Sequence, residues 1–223
     1  MDKQRIAIYG ASGFGRELAW LAESHDSLRV LCFIDDNPTK CGSTLNGIPV
    51  YGFEDLCNFG KEVKTVVGIG DPKIRDAITR KVASAGLDFI TLIHPDVKSS
   101  KLVEIGRGTV ICPGTILTTN IKLGKHVQIN LGCTIGHDLV MDDYATLAPG
   151  VHISGWVHIG KGVYIGTGAV IINGTADNPL TIGDDAIIGA GACVTLPVPE
   201  GETWAGVPAK VIKHIVTEPD EQS

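Results

Sequence analysis

The sequence predicts an α/β N-terminal unit of the Rossmann type followed by a parallel β-helix of hexapeptide repeats, and two observations carry the prediction. Strand-like and helix-like segments alternate over residues 5–92, and strands separated by helices imply a small parallel sheet. From Ile105 to Ile171 every sixth residue is aliphatic without a miss, through Ile111, Leu117, Leu123, Ile129, Ile135, Met141, Leu147, Ile153, Ile159 and Ile165. A sixfold period fits neither a helix nor an alternating strand. It is the signature of a solenoid in which each hexapeptide supplies one short strand and one corner.

In order along the chain, Arg5–Tyr9 reads as a strand and Phe14–Glu23 as a helix with Leu18, Leu21 and Ala22 on one face. Val30–Ile34 is the second strand, ending at Asp35-Asp36 and a turn at Asn37-Pro38. Thr65–Ile69 is a further strand, and Pro72–Ala85 places Ile74, Ala77, Ile78 and Val82 at helical spacing behind a proline suited to a first helical position. Phe89–Ile93 closes the unit. The repeat also has an aliphatic residue at Ile93 but loses its phase at Ser99, and the polar segment Thr175–Leu180 reads as a loop thrown out from one corner. Three hexapeptides close one triangular coil, so residues eighteen apart stack at the ~4.8 Å strand spacing. The expected divisions are residues 1–92, 93–196 and a C-terminal tail, 197–223, whose polar end from Glu218 is expected to fray.

A net charge of −6 gives no electrostatic footprint for nucleic acid or an anionic membrane surface. The opening MDKQRIAIYG runs into a strand-like segment without a signal peptide, and no apolar run approaches a membrane span, so a cytoplasmic protein is expected. Six cysteines without C-x-x-C spacing read as reduced and mostly packing residues.

Between the first strand and its helix lies Gly10-Ala-Ser-Gly13-Phe-Gly15. Glycines there let backbone N–H groups approach a phosphate at a helix N-terminus. The spacing G-x-x-G-x-G is not the dinucleotide fingerprint, but Asp35 and Asp36 at the end of the second strand are placed to accept hydrogen bonds from a ribose or a base. The bland alternative is a tight turn with exposed acids. A hydride-transfer enzyme of the short-chain type would carry Tyr-x-x-x-Lys, and none of Tyr9, Tyr51, Tyr144 and Tyr164 has Lys four residues on.

Of the histidines within the hexapeptide repeat, His137 alone is followed directly by an acid, Asp138, and it falls two places after an inward Ile, at a corner. An imidazole is suited to removing a proton at neutral pH, and a carboxylate partner fixes its tautomer. Stacking places Thr119 before it and Gly155, then Asn173, after it, so an open track is expected along that corner. His126, His152 and His158 fall elsewhere in the coil and do not stack on His137. A zinc site is the functional rival; these coil positions do not favour convergence of ligands from one chain, although an oligomer interface could assemble them.

The loop GASGFG, the acids of FIDDNP, the His-Asp corner, the hexapeptides and the terminal GVPAK stand in the same order as in the sialic-acid O-acetyltransferase-type sugar acyltransferases, which the chain resembles from Arg5 to about Lys213. Within these it looks most similar to nucleotide-sugar N-acetyltransferases of the bacillosamine type. The resemblance implies a left-handed β-helix, a homotrimer with active sites between subunits, and acetyl-CoA as co-substrate with no metal. It makes Ser12, Gly13, Phe14, Asp35, Asp36 and Gly70 contacts of the nucleotide sugar, His137 the general base and Asp138 its partner. Gly155 would offer backbone to the thioester, with Thr146, Thr167 and Ala190 along the coenzyme path. The chain departs from relatives that carry His at Phe14, Glu at Asp138, and a second active-site His where Thr146 stands. The activity implied is acetyl-CoA-dependent N-acetylation of a UDP- or dTDP-linked 4-amino-4,6-dideoxy sugar for surface glycan synthesis. The alternatives are O-acetylation of sialic acid or a related sugar, and a non-catalytic nucleotide-binding solenoid.

Overall fold

A computed structural model describes residues 3–213. The frayed end expected from Glu218 lies outside the described residues. The N-terminal unit runs β1 (Gln4–Tyr9), α1 (Gly13–Glu23), β2 (Leu28–Ile34), β3 (Thr44–Leu45), β4 (Ile48–Tyr51), α2 (Phe53–Phe59), β5 (Lys64–Val67), α3 (Pro72–Ser84) and β6 (Asp88–Phe89). Its sheet order is β3-β4-β2-β1-β5-β6, parallel except for the β3–β4 hairpin. The hairpin and α2 were not anticipated from sequence, although Asn46-Gly47 is a strong hairpin signal, and both residues adopt positive φ (51° and 77°) as a two-residue turn demands. The segment Phe89–Ile93, expected to close the N-terminal unit, is shared between two strands. Phe89 ends β6 beside β5, and Leu92–Ile93 pairs instead with Val110–Ile111 as the first rung of the solenoid.

The solenoid is a left-handed parallel β-helix with three faces. The first face stacks Leu92–Ile93, Val110–Ile111, Gln128–Ile129, Thr146–Leu147, Tyr164–Ile165 and Ile187–Ile188. The second runs from Lys98–Ser99 through Ile116–Leu117, Thr134–Ile135, His152–Ile153 and Val170–Ile171 to Cys193–Val194. The third stacks Val103–Ile105, Ile121–Leu123, Val140–Met141, Val157–Ile159 and Leu180–Ile182. Ser99 pairs with Leu117, so the repeat keeps its phase there and changes only the inward residue. Ile159 pairs with Ile182, so the segment around Thr175–Leu180 is an excursion that returns to the same stack. Thr203–Ala205 adds a further rung to the first face, and Lys210–Lys213 folds back against it. Every inward aliphatic from Ile111 to Ile188 is buried in one continuous core.

The N-terminal unit sits on the first face. Leu18, Ala19 and Leu21 of α1 share a cluster with Leu92, Val110 and Cys112 of the solenoid. Beside this apolar seam, Arg75 of α3 is 1 % exposed and has no carboxylate partner among the described residues. Its guanidinium donates to the carbonyls of Ile69 (2.8 Å) and Gly70 (3.1 Å) in its own unit. Across the seam it donates to the carbonyls of His126 (2.9 Å), Tyr144 and Ala145 (3.3 Å), to Gln128 Oε1 (2.9 Å) and to Thr146 Oγ1 (2.9 Å). Burial pulls its pKa down to about 9, which leaves it charged at neutral pH.

His126, at φ 55°, has its ring edge-on to Phe89 at 4.6 Å and stacked on Tyr144 at 5.4 Å. Burial, then the Arg75 charge, hold its pKa at about 4, against an ordinary 6.5. The unfolded chain therefore takes up a proton between those values that the folded chain refuses, so stability is full above pH 6.5 and falls as pH drops towards 4. The loss attributable to this residue is roughly 3 kcal/mol. Urea midpoints measured across that window should fall for the parent and stay flatter for His126→Asn, whose side chain tolerates positive φ.

Candidate active site

His137 occupies the vertex between the second and third faces, just after Thr134–Ile135 and before Val140–Met141. Asp138 adopts a left-handed φ of 56°, which swings its carboxylate back to the preceding side chain. Nδ1 of His137 and Oδ2 of Asp138 are 2.7 Å apart. An ionised carboxylate only accepts, so Nδ1 carries the proton and Nε2 presents its lone pair. Asn120 Nδ2, from the coil before, donates to Oδ1 of Asp138 at 3.1 Å. The sequence reading missed Asn120, yet it stands eighteen residues before Asp138 and the stacking rule reaches it. The imidazole is about half exposed, and its Nε2 has no hydrogen-bond partner among the described residues.

Gly155 stacks beneath His137, and Trp156 presents its ring to the imidazole at 6.0 Å and 85°. The track expected to be open there is filled by the imidazole itself. A Cβ on Gly155 would lie 2.5 Å from Cε1 and 2.6 Å from Nε2 of His137. Gly155 is not in the left-handed region, so its lack of a side chain serves the ring above it and not the turn. Gly155→Val is accordingly expected to fold as the parent does, with kcat lowered because the displaced imidazole leaves Asp138. Circular dichroism and steady-state kinetics check this, and a folded variant with unchanged kcat would remove His137 from the reaction.

The residues expected at the nucleotide sugar gather at the C-terminal ends of the adjacent strands β2, β1 and β5. Ser12 caps α1 with extended backbone and no side-chain cap bond, and it is exposed together with Gly13, where an added Cβ would meet nothing within 4 Å. Phe14 is half-buried against the α1 cluster. Gly10 and Gly15 serve packing: a Cβ on Gly10 would sit 2.9 Å from the Gly68 carbonyl, and one on Gly15 would collide with the Gly10 carbonyl. Asp35 is turned inward. Its Oδ2 accepts from the Ala11 N–H (3.0 Å) and Lys40 Nζ (2.8 Å), and its Oδ1 from the Asn37 N–H (3.0 Å). Burial alone would raise its pKa, but these hydrogen bonds outweigh it and hold the carboxyl below its usual range. Asp35 thus clamps the loop. Asp36 remains half exposed while its Oδ1 accepts from Tyr9 Oη (2.8 Å) and Lys81 Nζ (2.7 Å). Burial, then Asp36, raise the Tyr9 pKa, which keeps its phenol a donor. Gly70, half-buried, opens on a cavity of about 510 Å3 that it shares with Pro72, Lys73 and, from the solenoid, Tyr164 and Ile187.

Of the expected coenzyme residues, Gly155 lies at His137 within the chain, whereas Thr146, Thr167 and Ala190 do not. Thr146 is 1 % exposed, sealed beneath α3, and its hydroxyl is used at both ends: it donates to the Gly70 carbonyl (2.9 Å) and accepts from Arg75. Its place on the coenzyme path is corrected to a support of the Gly70 loop. Thr167 and Ala190 are exposed and stacked, but at the vertex between the first and second faces, one strand away from the His137 vertex. His152 pairs with Thr134 Oγ1 (2.8 Å) and His158 with Asp142 (2.8 Å), on separate faces. Among the described residues no group of three or more His, Cys, Asp or Glu converges to hold a metal ion, and no helix is long and apolar enough to cross a membrane.

A carboxylate-held imidazole on a hexapeptide solenoid, joined to a Gly-rich α/β unit, is the arrangement of a two-substrate acyltransferase. Residues 5–82 match the PglD N-terminal domain. GDP-perosamine N-acetyltransferase of Escherichia coli O157:H7 is 35 % identical over 216 residues, covering 94 % of this chain and 97 % of that protein. WeeI from Acinetobacter baumannii AYE superposes with a TM-score of 0.85 at 38 % identity, over 93 % of this chain and 99 % of its own. The acetyltransferase domain of PglB from Neisseria gonorrhoeae FA1090, solved in complex with acetyl coenzyme A, superposes with a TM-score of 0.84 at 34 % identity, over 94 % of this chain and 100 % of its own. The chain belongs to the family of nucleotide-sugar N-acetyltransferases that acetylate amino sugars.

Proposed function

We propose that the chain transfers an acetyl group from acetyl-CoA to the 4-amino group of a nucleotide-linked 4-amino-4,6-dideoxyhexose, in the cytoplasm, for surface glycan synthesis. One observation supports this above the others: His137 Nε2 is unpartnered and exposed while Nδ1 is held by Asp138, itself held by Asn120. In this reading His137 Nε2 takes the proton that the amine sheds as the N–C bond forms and the C–S bond breaks, and the imidazolium returns it to the leaving thiolate. Asp138 stabilises the imidazolium. The Gly155 N–H has no hydrogen-bond partner among the described residues and is the donor at hand for the developing oxyanion. Ser12, Gly13 and Gly70 would hold the diphosphate and sugar end, and Asp36, through its Oδ2, the nucleoside.

The first face carries the chain's own N-terminal unit, and His137 stands at the vertex opposite that face. Sugar loop and base of one chain therefore point to different sides of the prism, and a neighbouring chain has to complete each site. A homotrimer satisfies this symmetrically, and it also gives Thr167 and Ala190 of one chain a route to His137 of the next.

The test is acetyl-CoA turnover by purified protein against GDP-, UDP- and dTDP-linked 4-amino-4,6-dideoxyhexoses and against free sialic acid, with light scattering in parallel. GDP heads the series because the Escherichia coli relative, which covers 94 % of this chain, is a GDP-perosamine N-acetyltransferase. Turnover with sialic acid alone would overturn the N-acetyl reading. A fully active monomer would overturn the shared site.

A further inference from the structure

The end of the N-terminal sheet remote from the sugar loop holds a second cavity. Lys64 and Asp88 begin β5 and β6 there, whereas Gly10, Asp36 and Gly70 follow the opposite strand ends. The cavity measures about 540 Å3, within the range of small-molecule sites, and is lined by Lys61, Lys64, Arg107 and Lys125, with Asp88 the single carboxylate. Lys64 pairs with Asp88 at 2.7 Å, and Arg107 pairs with the other oxygen of the same carboxylate. Lys61 and Lys125 have no ion-pair partner among the described residues. An excess of three positive charges in one concavity, on a chain of net charge −6, is a local field that solubility does not require.

The same cavity contains His126, 7 % exposed, whose ring nitrogens have no hydrogen-bond partner among the described residues. Its ring is clamped by Phe89 and Tyr144, and Gly108, at φ 74°, leaves room for it where a Cβ would collide with Nδ1.

We propose that this cavity is a second binding site, for a phosphate-bearing anion, separate from the groups that hold the nucleotide sugar and acetyl-CoA. Two unpaired ammonium groups, a guanidinium and a buried imidazole suit a multiply charged oxyanion with several acceptor atoms better than a carboxylate, which would meet one of them. The volume accommodates an organic phosphate as readily as an inorganic one, and Phe89 offers an apolar wall beneath Arg107.

Calorimetric titration of the full chain with pyrophosphate, inorganic phosphate and adenosine 5′-monophosphate tests this, with a Lys61→Glu/Lys125→Glu double variant run alongside. The parent is expected to take up one anion per chain that the variant binds at least about tenfold more weakly, at unchanged melting temperature and unchanged turnover. Tighter binding of the nucleoside monophosphate than of pyrophosphate would assign an organic phosphate, and the reverse order an inorganic one. Equal binding by parent and variant, or none at millimolar concentration, overturns the site. A parallel rise in KM for the nucleotide sugar or acetyl-CoA also overturns it, by merging the cavity with the substrate sites. Neither lysine takes part in the proposed acetyl transfer, so failure here leaves that reading untouched.

Discussion

His137→Ala is expected to give a folded protein of unchanged oligomeric state whose kcat is lowered by ~10²–10⁴-fold, the usual worth of a general base. The side chain is half exposed at a vertex and outside the solenoid core, so little packing is lost with it. The effect should fall on kcat with substrate KM values little changed, because the imidazole contributes to proton transfer and not to holding either substrate. Steady-state kinetics beside a thermal melt separate the cases. Near-normal kcat in a folded variant would overturn the base assignment, whereas a melting temperature well below the parent's would show that the vertex depends on the ring.

Arg75→Met is expected to be the most damaging substitution to stability, by roughly 3–5 kcal/mol, because several buried acceptors lose a donor at about 1–3 kcal/mol each and not all of them find another. The thioether replaces the stem but leaves the carbonyls of His126 and Tyr144, Gln128 Oε1 and Thr146 Oγ1 without their donor, while the Ala145 carbonyl keeps the Gln128 N–H at 2.9 Å. Some of these groups regain partners by local shifts; Gln128, whose Nε2 also donates to the Val67 carbonyl at 2.7 Å, is too constrained to do so freely. Denaturant midpoints measure the loss. Arg75→Lys should recover only part of it, since one ammonium cannot replace a planar fork serving acceptors on two sides. A methionine variant as stable as the parent would show that the Arg75 bonds are not needed to join the two units.

The solenoid was legible because its period is imposed by geometry: an inward aliphatic recurs wherever the coil returns to the same face, and the stacks from Ile111 to Ile188 follow it. The His137–Asp138 corner was legible for the same reason, since its position in the repeat fixes its vertex. Three features were harder to see. Asn120 carries no motif and acts only through its place one coil before Asp138. Arg75 reads as an ordinary helical cation, because its partners are mostly backbone carbonyls, which leave no trace in side-chain pattern. Asp35 and Asp36 are adjacent and identical in type, yet one clamps the Gly-rich loop and the other faces solvent, a division set by the strand end and by Lys40, Tyr9 and Lys81.

The seating of the N-terminal unit on one face gives the solenoid an uneven resistance to opening. A column of equal coils has only nearest-neighbour cohesion and unzips from either end. Here the coils from Leu92 to Thr146 are tied to α1 and α3 by apolar packing and by the Arg75 bonds, while among the described residues the later coils are reached by the ion pairs Lys73–Asp185 and Lys161–Asp76. Opening should therefore begin past Val170 and stall near Thr146. Amide hydrogens of Val170, Ile171, Cys193 and Val194 would exchange by subglobal fraying, and those of Val110 and Gln128 only when the whole chain unfolds. The His137 coil lies on the protected side of that boundary, which keeps its vertex set while the distal coils breathe.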